Sequence, residues 1–203
     1  MGQPAIIVWD FDGVLNRNIV GGQFIWSDRM DAELGLDCEA FDEFLFRSHR
    51  MKQAITGQVD IREFVAEWLA DQDTDVTAEA FLAFWFQNDL YPDVPVLDLL
   101  RAHRARHVIG TNNEDRRVRA IEAVPEFMAH VRCVFASGRM KVAKPADGFF
   151  EVVEVWAGVP ATEILLVDDT DANVEAAVAR GWRGFLFNDE TRSCLPEYLG
   201  LAG

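Results

Sequence analysis

Residues 5–16 read AIIVWDFDGVLN, and this stretch decides the fold. Its apolar run is rich in β-branched side chains and is followed by a loop that contains Gly13, a pattern typical of a buried strand in a parallel sheet. The strand ends on Asp10 and Asp12, two carboxylates separated by one residue. Ligands of open α/β sheets bind outside the carboxyl ends of the strands. The two aspartates are therefore candidates for a functional site.

Two carboxylates this close repel each other unless a cation lies between them or one of them keeps its proton. A divalent cation that prefers oxygen ligands, such as Mg2+, relieves this repulsion. The alternative is that Asp10 and Asp12 only cap a turn. We favour metal binding and catalysis, because an apolar strand delivers both carboxylates to the edge where ligands bind.

The composition is that of an acidic globular protein. Half of the 203 residues are hydrophobic, so the chain can bury one sizeable core, with or without a smaller insert. Nineteen lysines and arginines against 34 aspartates and glutamates give a net charge of −15. This balance argues against nucleic acid or an anionic membrane surface as the partner.

The three cysteines, Cys38, Cys133 and Cys194, are far apart and form no CxxC pair. A disulfide framework or a zinc site is therefore not expected, and a reducing compartment is the default. We find no signal peptide and no long apolar span. These features predict a cytoplasmic protein.

A polar, glycine-bearing loop is expected over residues 16–23, and the chain then has a helical texture from Ser27 to about Asp89. Ser27, Asp60 and Thr77 each precede apolar residues at helical spacing, which predicts that each of them is the N-cap of the helix that follows. A further helical segment is expected over residues 41–57. Four short helices with no strand between them predict a small helical cap. The predicted domains are residues 1–17 and 91–203 for the core and residues 18–90 for the cap.

From about residue 93 onward, short apolar strands alternate with helices. The predicted strands are residues 107–110, 133–136, 163–167 and 184–187. The predicted helices are residues 93–105, 114–122, 147–156 and 171–180. This βαβα succession implies a parallel sheet with helices on both faces. The predicted fold class is α/β, a Rossmann-like parallel core with an all-helical cap inserted after the first strand.

Polar residues follow each of the predicted core strands except the last. They are Asp10 and Asp12, Thr111 and Asn112, Lys141 and Lys144, and Asp168 and Asp169. In a parallel sheet these strand ends lie side by side, so their carboxylates, hydroxyl, amide and ammonium share one crevice. Carboxylates with a metal, together with a lysine and a hydroxyl, form a cradle for a phosphate.

Four of these segments resemble, in order, the motifs of the haloacid dehalogenase-like (HAD) hydrolases. They are DFDGV at residues 10–14, Thr111 after an apolar strand, KPADGFF at residues 144–150 and VDDTDAN at residues 167–173. The helical insert is similar to the type 1 cap of subfamily I of these enzymes. The resemblance covers the chain from its first strand to Asn173.

The resemblance implies a role for each catalytic position. Asp10 would be the nucleophile that attacks phosphorus, and Asp12 would be the general acid and then the general base. Thr111 and Lys144 would hold phosphoryl oxygens, and Lys144 would help to keep Asp10 ionised.

The resemblance also implies a Mg2+ site. Asp10, the backbone carbonyl of Asp12 and an acid of the fourth motif would be its ligands. Asp168 and Asp169 compete for the third position, and we favour Asp169, with Asp168 behind it. Asn173 either steadies this site or lies on a helix surface.

Several of these residues have simpler structural alternatives. Thr111 can merely cap the following helix. Lys141, three residues before Lys144, competes for the phosphate, although the proline that follows Lys144 favours the latter. Asn112 and Asn113 are either turn residues or pocket residues, and we favour the pocket for Asn112.

Arg47 and Arg50 belong to a basic island in the predicted cap. Cationic side chains on a helix are usually solvated. The alternative hypothesis is that Arg47 and Arg50 face the crevice and bind the substrate.

The activity implied is the Mg2+-dependent hydrolysis of a small phosphomonoester through an aspartyl-phosphate, with a small phosphorylated metabolite as the substrate. A phosphomutase or a non-catalytic binding protein of the same fold are the alternatives. Dehalogenation is disfavoured, because it needs no acid and the dehalogenase branch of the family lacks the aspartate at the position of Asp12. We expect a monomer or a homodimer.

Overall fold

Five parallel strands form the central sheet of the computed structural model, which describes residues 2–20 and 23–201. The strands are β1 (Ile6–Trp9), β2 (Arg106–Thr111), β3 (Val131–Ala136), β4 (Ile164–Asp168) and β5 (Arg183–Leu186). Their order across the sheet is β3-β2-β1-β4-β5, and all neighbouring pairs are parallel. The predicted α/β class is confirmed, and the predicted strand bounds differ from these by at most two residues.

Strand β1 lies in the middle of the sheet and is fully buried. Ile7 and Trp9 contribute to the hydrophobic cluster on one face, and Ile6 and Val8 contribute to the cluster on the other. This burial on both faces explains why the strand is a continuous apolar run rather than an alternating one. Strands β2 and β3 lie on one side of β1, and β4 and β5 lie on the other. The strand order therefore reverses at β1, and a crevice opens at the C-terminal end of this strand.

Residues 18–90, which we call the cap, contain five helices in their described parts, 18–20 and 23–90. They are α1 (Ser27–Leu34), α2 (Cys38–Leu45), α3 (His49–Ile55), α4 (Ile61–Leu69) and α5 (Ala78–Gln87). A short antiparallel hairpin, Ile19–Val20 with Gln23–Phe24, precedes them where the sequence suggested only a polar loop. The predicted helix N-caps Asp60 and Thr77 are confirmed, because their side chains accept hydrogen bonds from the backbone N–H groups of Arg62 and Ala80, respectively.

Two details of the predicted cap are wrong. The segment 41–57 is two helices, because the Ser48 hydroxyl accepts the Arg50 N–H at 3.2 Å and starts a new helix there. Ser27 is the first helical residue rather than the capping residue, and its hydroxyl donates to the Phe24 carbonyl instead.

The core helices pack on both faces of the sheet, as predicted. They are α6 (Val94–Ala102), α7 (Asp115–Glu122), α8 (Pro125–Met128), α9 (Ser137–Met140), α10 (Asp147–Ala157), α11 (Asp171–Ala179) and α12 (Leu195–Tyr198). Helices α6 and α7 contribute to the cluster that contains Trp9, and α10 and α11 to the cluster that contains Val8. Within residues 2–20 and 23–201, no helix has the length and hydrophobicity that a membrane span requires.

The cap has its own hydrophobic core, built around buried aromatic residues that include Trp26, Phe41 and Phe81. It rests on the strand-end side of the core domain. Lys141, which follows α9, donates to the Gly57 carbonyl at 2.7 Å, and Arg116 on α7 pairs with Asp60 at 2.8 Å. The cap is therefore docked beside the edge where the polar residues converge.

Candidate active site

The parallel sheet brings the predicted polar residues to one edge. Asp10 and Asp12 follow β1, Thr111 is the last residue of β2, and Asp168 is the last residue of β4. The backbone N–H of Asp10 donates to the Val167 carbonyl at 2.8 Å, which fixes β1 and β4 together at this point. The side chains of Asp10, Asp12, Thr111 and Asp168 form the base of the site.

Lys144 lies between two carboxylates. Its Nζ is 3.0 Å from Asp10 Oδ1 and 2.6 Å from Asp168 Oδ2, and the Lys144 and Asp168 side chains are completely buried. Burial by itself lowers the pKa of Lys144, but the two carboxylates reverse this effect, so its pKa is raised and the ammonium is retained. Burial, with the Asp168 charge added, raises the pKa of Asp10 well above its ordinary value, and Lys144 opposes this shift.

Lys141, the competing lysine, is not in this cluster. Its backbone has a left-handed φ of 62°, and its Nζ donates to the cap at the Gly57 carbonyl. Asn112 holds Lys144 in place, because its side-chain amide donates to the Lys144 carbonyl and accepts the Lys144 N–H, both at 2.9 Å.

The two acids after β4 are placed differently. Asp168 accepts hydrogen bonds from Lys144, from the Thr170 N–H at 2.9 Å and from Asn173 Nδ2 at 2.9 Å. Asn173 is buried in this contact and does not lie on a helix surface. Asp169 is only partly buried, and within residues 2–20 and 23–201 its one hydrogen bond is from the Thr170 hydroxyl at 3.3 Å. Of the two, Asp169 has the oxygen atoms that are free for a further ligand.

A divalent cation fits this arrangement. Carboxylate oxygens of Asp10, Asp168 and Asp169 lie within 4.8 Å of one another, and the Lys144 ammonium pairs with two of these three carboxylates. Opposite oxygen ligands of Mg2+ are about 4 Å apart, so the spacing is close to that of a hard-cation site. Gly13 leaves room for Asp169, because a Cβ at Gly13 would lie 2.3 Å from Asp169 Oδ2.

Asp12 is held by three amides. Asn16 Nδ2 and Asn18 Nδ2 donate to its Oδ1 at 3.0 and 2.8 Å, and Asn113 Nδ2 donates to its Oδ2 at 2.8 Å. Asn113 also donates to Thr111 Oγ1 at 2.7 Å. The following helix is capped by Glu114 rather than by Thr111, so the Thr111 hydroxyl has no capping role. These contacts fix the orientation of the Asp12 carboxylate.

A buried ion pair lies behind Asp12. Arg117 Nη2 is 2.7 Å from Asp89 Oδ2 and 3.5 Å from Asp12 Oδ1, and both residues of the Arg117–Asp89 pair are buried. Burial raises the pKa of Asp89 to about 7, although Arg117 opposes the shift. Sequence reasoning missed this pair together with Asn16 and Asn18. Arg117 alone carried a signal, because it shares the buried face of its helix with Val118 and Ile121.

The structure does not bring Arg47 and Arg50 to this site. Arg47 is exposed and pairs with Asp42 and Glu43, and Arg50 pairs with Glu67 at 2.8 Å. Both guanidinium groups are therefore committed to carboxylates of the cap itself.

Two cavities are relevant to ligand binding. The larger, about 540 Å3, lies within the cap beside Trp26 and Arg47, and none of the strand-end residues line it. The smaller, about 160 Å3, is lined by both domains and includes Asp12, Asn112 and Asn113. We call it the cap–core cavity. Because it adjoins the fixed Asp12 carboxylate, it is the cavity associated with the candidate active site.

No protein-family model matches the chain. A phosphoglycolate phosphatase from Pseudomonas syringae pv. tomato is 26% identical over 184 residues, which are 88% of this chain and 67% of that protein.

Two solved structures resemble nearly the whole chain. A predicted HAD-like family hydrolase from Porphyromonas gingivalis has a TM-score of 0.77 at 20% identity and covers 98% of both chains. A HAD family enzyme from Bacteroides thetaiotaomicron, solved with magnesium and inorganic phosphate, has a TM-score of 0.76 at 20% identity. That match covers 95% of this chain and 98% of the other.

Proposed function

We propose that this chain, which belongs to the haloacid dehalogenase-like hydrolase superfamily by its fold, is a Mg2+-dependent phosphatase that hydrolyses a small phosphomonoester through an aspartyl-phosphate. One observation carries the proposal. A buried ammonium, Lys144, lies on the Asp10 carboxylate, and the separately anchored Asp12 carboxylate lies two residues away in sequence. Phosphoryl transfer requires this combination of a nucleophile, a proton carrier and positive charge.

In the first step an oxygen of Asp10 attacks phosphorus, and the bond between phosphorus and the leaving oxygen breaks. The Asp10 Oδ1 atom is held by Lys144 and by the Phe11 N–H at 2.8 Å, so the carboxylate is oriented before the substrate arrives. Asp12 gives its proton to the leaving oxygen. The Thr111 hydroxyl and Lys144 hold the phosphoryl oxygens.

In the second step Asp12 takes a proton from water as the water attacks phosphorus. The bond between phosphorus and the Asp10 oxygen breaks, and phosphate and a free carboxylate result. The amides of Asn16, Asn18 and Asn113 keep the Asp12 carboxylate in one orientation through both steps.

Asp10, the Asp12 carbonyl and Asp169 would hold Mg2+, which supplies positive charge to the phosphoryl group when bound. Asp168 steadies Lys144 and is itself held by Asn173. This division follows from the hydrogen bonds, because in the part of the chain that the structure describes Asp168 already has three donors whereas Asp169 has one. The Bacteroides enzyme, which was solved with magnesium and inorganic phosphate, supports Mg2+ as the metal.

We propose further that residues 18–90 act as a lid over the site. The cap lies beside the strand ends and closes one wall of the cap–core cavity. A lid of this kind favours small metabolites over phosphoproteins, since a large substrate would have to pass beneath it.

The test is phosphate release from p-nitrophenyl phosphate with Mg2+, with EDTA, and with the Asp10→Asn variant. Asp98→Asn, the same chemical change on an exposed aspartate of α6, is the matched control. We expect turnover that requires Mg2+, is lost in Asp10→Asn and is kept in Asp98→Asn. Turnover that persists in Asp10→Asn would exclude the proposed nucleophile.

A further inference from the structure

We propose that Arg117 and Asp89 are positioning residues for the proton transfer, and that they keep donors on one oxygen of Asp12, Oδ1, so that the other oxygen, Oδ2, carries the transferred proton. This inference rests on the proposed phosphatase activity, in which Asp12 gives a proton to the leaving oxygen. Neither positioning residue has to touch the substrate, because both act on Asp12.

The two oxygen atoms of the Asp12 carboxyl group have different surroundings. Oδ1 accepts hydrogen bonds from Asn16 Nδ2 at 3.0 Å and from Asn18 Nδ2 at 2.8 Å, and Arg117 Nη2 lies 3.5 Å from it. Within residues 2–20 and 23–201, Oδ2 accepts one hydrogen bond, from Asn113 Nδ2 at 2.8 Å. A protonated carboxyl oxygen is itself a donor and has less capacity to accept. A proton on Oδ1 would point at N–H groups and a cation, so the proton of the acid is assigned to Oδ2.

Oδ2 lies on the side where the phosphoryl group is proposed to bind. Asn113 Nδ2 donates to Asp12 Oδ2 and, at 2.7 Å, to Thr111 Oγ1, so these two oxygen atoms share one amide. Thr111 is the residue proposed to hold phosphoryl oxygens. In the first step the bond between Oδ2 and its proton breaks as the proton moves to the leaving oxygen. In the second step Oδ2 takes a proton from the attacking water.

Asp89 fixes the amide that covers Oδ1. The fully buried Asn18 donates from Nδ2 to Asp89 Oδ1 at 2.8 Å as well as to Asp12 Oδ1, so one NH2 group bridges two carboxyl groups. A side-chain amide has two N–H donors, and this bridge uses both. If the amide turned over, its oxygen would face both carboxyl groups. Asp89 and Asp12 together therefore select the orientation of Asn18.

Arg117 fixes Asp89. Its Nη2 lies 2.7 Å from Asp89 Oδ2 and donates to the Asp89 carbonyl at 2.8 Å, so one guanidinium holds both the side chain and the backbone. The same carbonyl accepts Asn16 Nδ2 at 2.7 Å, and Asn16 is the second amide on Asp12 Oδ1. Arg117 is 4% exposed and Asp89 is 3% exposed, so water does not compete for these contacts. Because Arg117 belongs to α7, the network that ends on Oδ1 is anchored on a helix.

The test compares two aryl phosphates of similar shape that differ in their need for the acid. The p-nitrophenolate of p-nitrophenyl phosphate leaves without a proton, whereas the more basic phenolate of phenyl phosphate needs one. The ratio kcat/KM reports the steps up to loss of the leaving group, so it measures the acid and not the later attack of water. We expect Arg117→Met to lower kcat/KM for phenyl phosphate about fivefold or more beyond its effect on p-nitrophenyl phosphate.

Two further variants complete the experiment. Asn18→Ala removes the bridge while the Arg117–Asp89 pair stays in place, and it should show the same selective loss. Arg119→Met is the matched control, because it makes the same change at an exposed arginine of α7 that pairs with Asp115. It should leave both rates within about twofold. Both esters are measured on one preparation, so a loss of folded protein lowers both rates equally and does not alter the comparison.

Equal losses for the two esters in Arg117→Met or in Asn18→Ala would overturn this inference and leave the phosphatase assignment intact. Wild-type hydrolysis of p-nitrophenyl phosphate without hydrolysis of phenyl phosphate would also overturn it, because no acid would then assist the leaving group. Failure to hydrolyse either ester with Mg2+ would overturn the proposed function and this inference together.

Discussion

Gly13→Ala should weaken the use of Mg2+ much more than it weakens the fold. A Cβ at position 13 would lie 2.3 Å from Asp169 Oδ2, whereas ordinary contacts begin at 3.4 Å, so the oxygen must retreat by about 1 Å. Mg2+ holds its oxygen ligands at about 2.0–2.1 Å in nearly ideal octahedral geometry. A displaced Asp169 therefore loses its place as a ligand. We expect the Mg2+ concentration for half-maximal phosphate release to rise at least about tenfold, or about 1.4 kcal/mol.

The cost to folding should be small. Gly13 has a φ of 78°, and alanine in the left-handed region costs roughly 1–2 kcal/mol. Alanine also reduces the conformational entropy of the unfolded chain, which offsets this cost by about 0.4–1 kcal/mol. The net loss of about 1 kcal/mol corresponds to a decrease of about 2–4 °C in Tm for a chain of this length.

Gly158→Ala is the matched control for this experiment. Gly158 ends α10 with a φ of 61°, and a Cβ there would meet nothing within 4 Å. It carries the same backbone strain without displacing Asp169. Mg2+ titrations of phosphate release should separate the two variants, and thermal unfolding in EDTA should not. The same half-saturating Mg2+ concentration in both variants would refute the reasoning that Asp169 is a ligand held in place by Gly13.

Three further predictions concern residues around the site. Asn113→Ala removes the amide that donates to Asp12 Oδ2. Initial rates should show kcat reduced by about tenfold or more, with a smaller change in KM. An unchanged kcat would contradict the positioning role of Asn113. Arg47→Ala and Arg50→Ala should leave KM within about twofold, because both guanidinium groups pair with cap carboxylates; a large increase in KM would return them to the substrate site. In the folded protein the pKa of Asp89 is about 7, above its ordinary value of 3.8. Protonated Asp89 therefore stabilises the fold fully below pH 3.8, and this stability is lost as the pH rises through 7. Urea unfolding at pH 4.5 and pH 8 should show a larger loss in the wild type than in Asp89→Asn, in which Asp10, whose pKa is also raised, still titrates. Equal losses would exclude Asp89 as a source.

The fold was predictable because its main signals are local. Strand β1 is buried on both faces, and this leaves a continuous apolar run in the sequence. The ends of parallel strands must share one edge, so Asp10 and Asp168 could be placed together without knowledge of any contact. The Lys144 contact followed from its position after the third core strand and from the resemblance.

The surroundings of Asp12 were not predictable, because they depend on contacts between distant segments. Asn18 and Asp89 are 71 residues apart, and each looks like an ordinary polar loop residue in the sequence. Arg47 and Arg50 show the opposite case. Their clustering marked a basic surface, but only the packing of the cap helices decides which carboxylates they meet.

In the proposed mechanism, Asp10 carries the phosphoryl group and Asp12 moves the proton. The most direct measurement is mass spectrometry of the Asp12→Asn variant after rapid mixing with p-nitrophenyl phosphate and Mg2+ and quenching in acid. The leaving group of this ester departs without a proton, whereas hydrolysis of the intermediate needs the missing base, so the intermediate should accumulate. We predict one added phosphoryl group on the peptide that contains Asp10. Phosphate release by the wild-type enzyme with no such adduct, or with an adduct on another residue, would contradict the account.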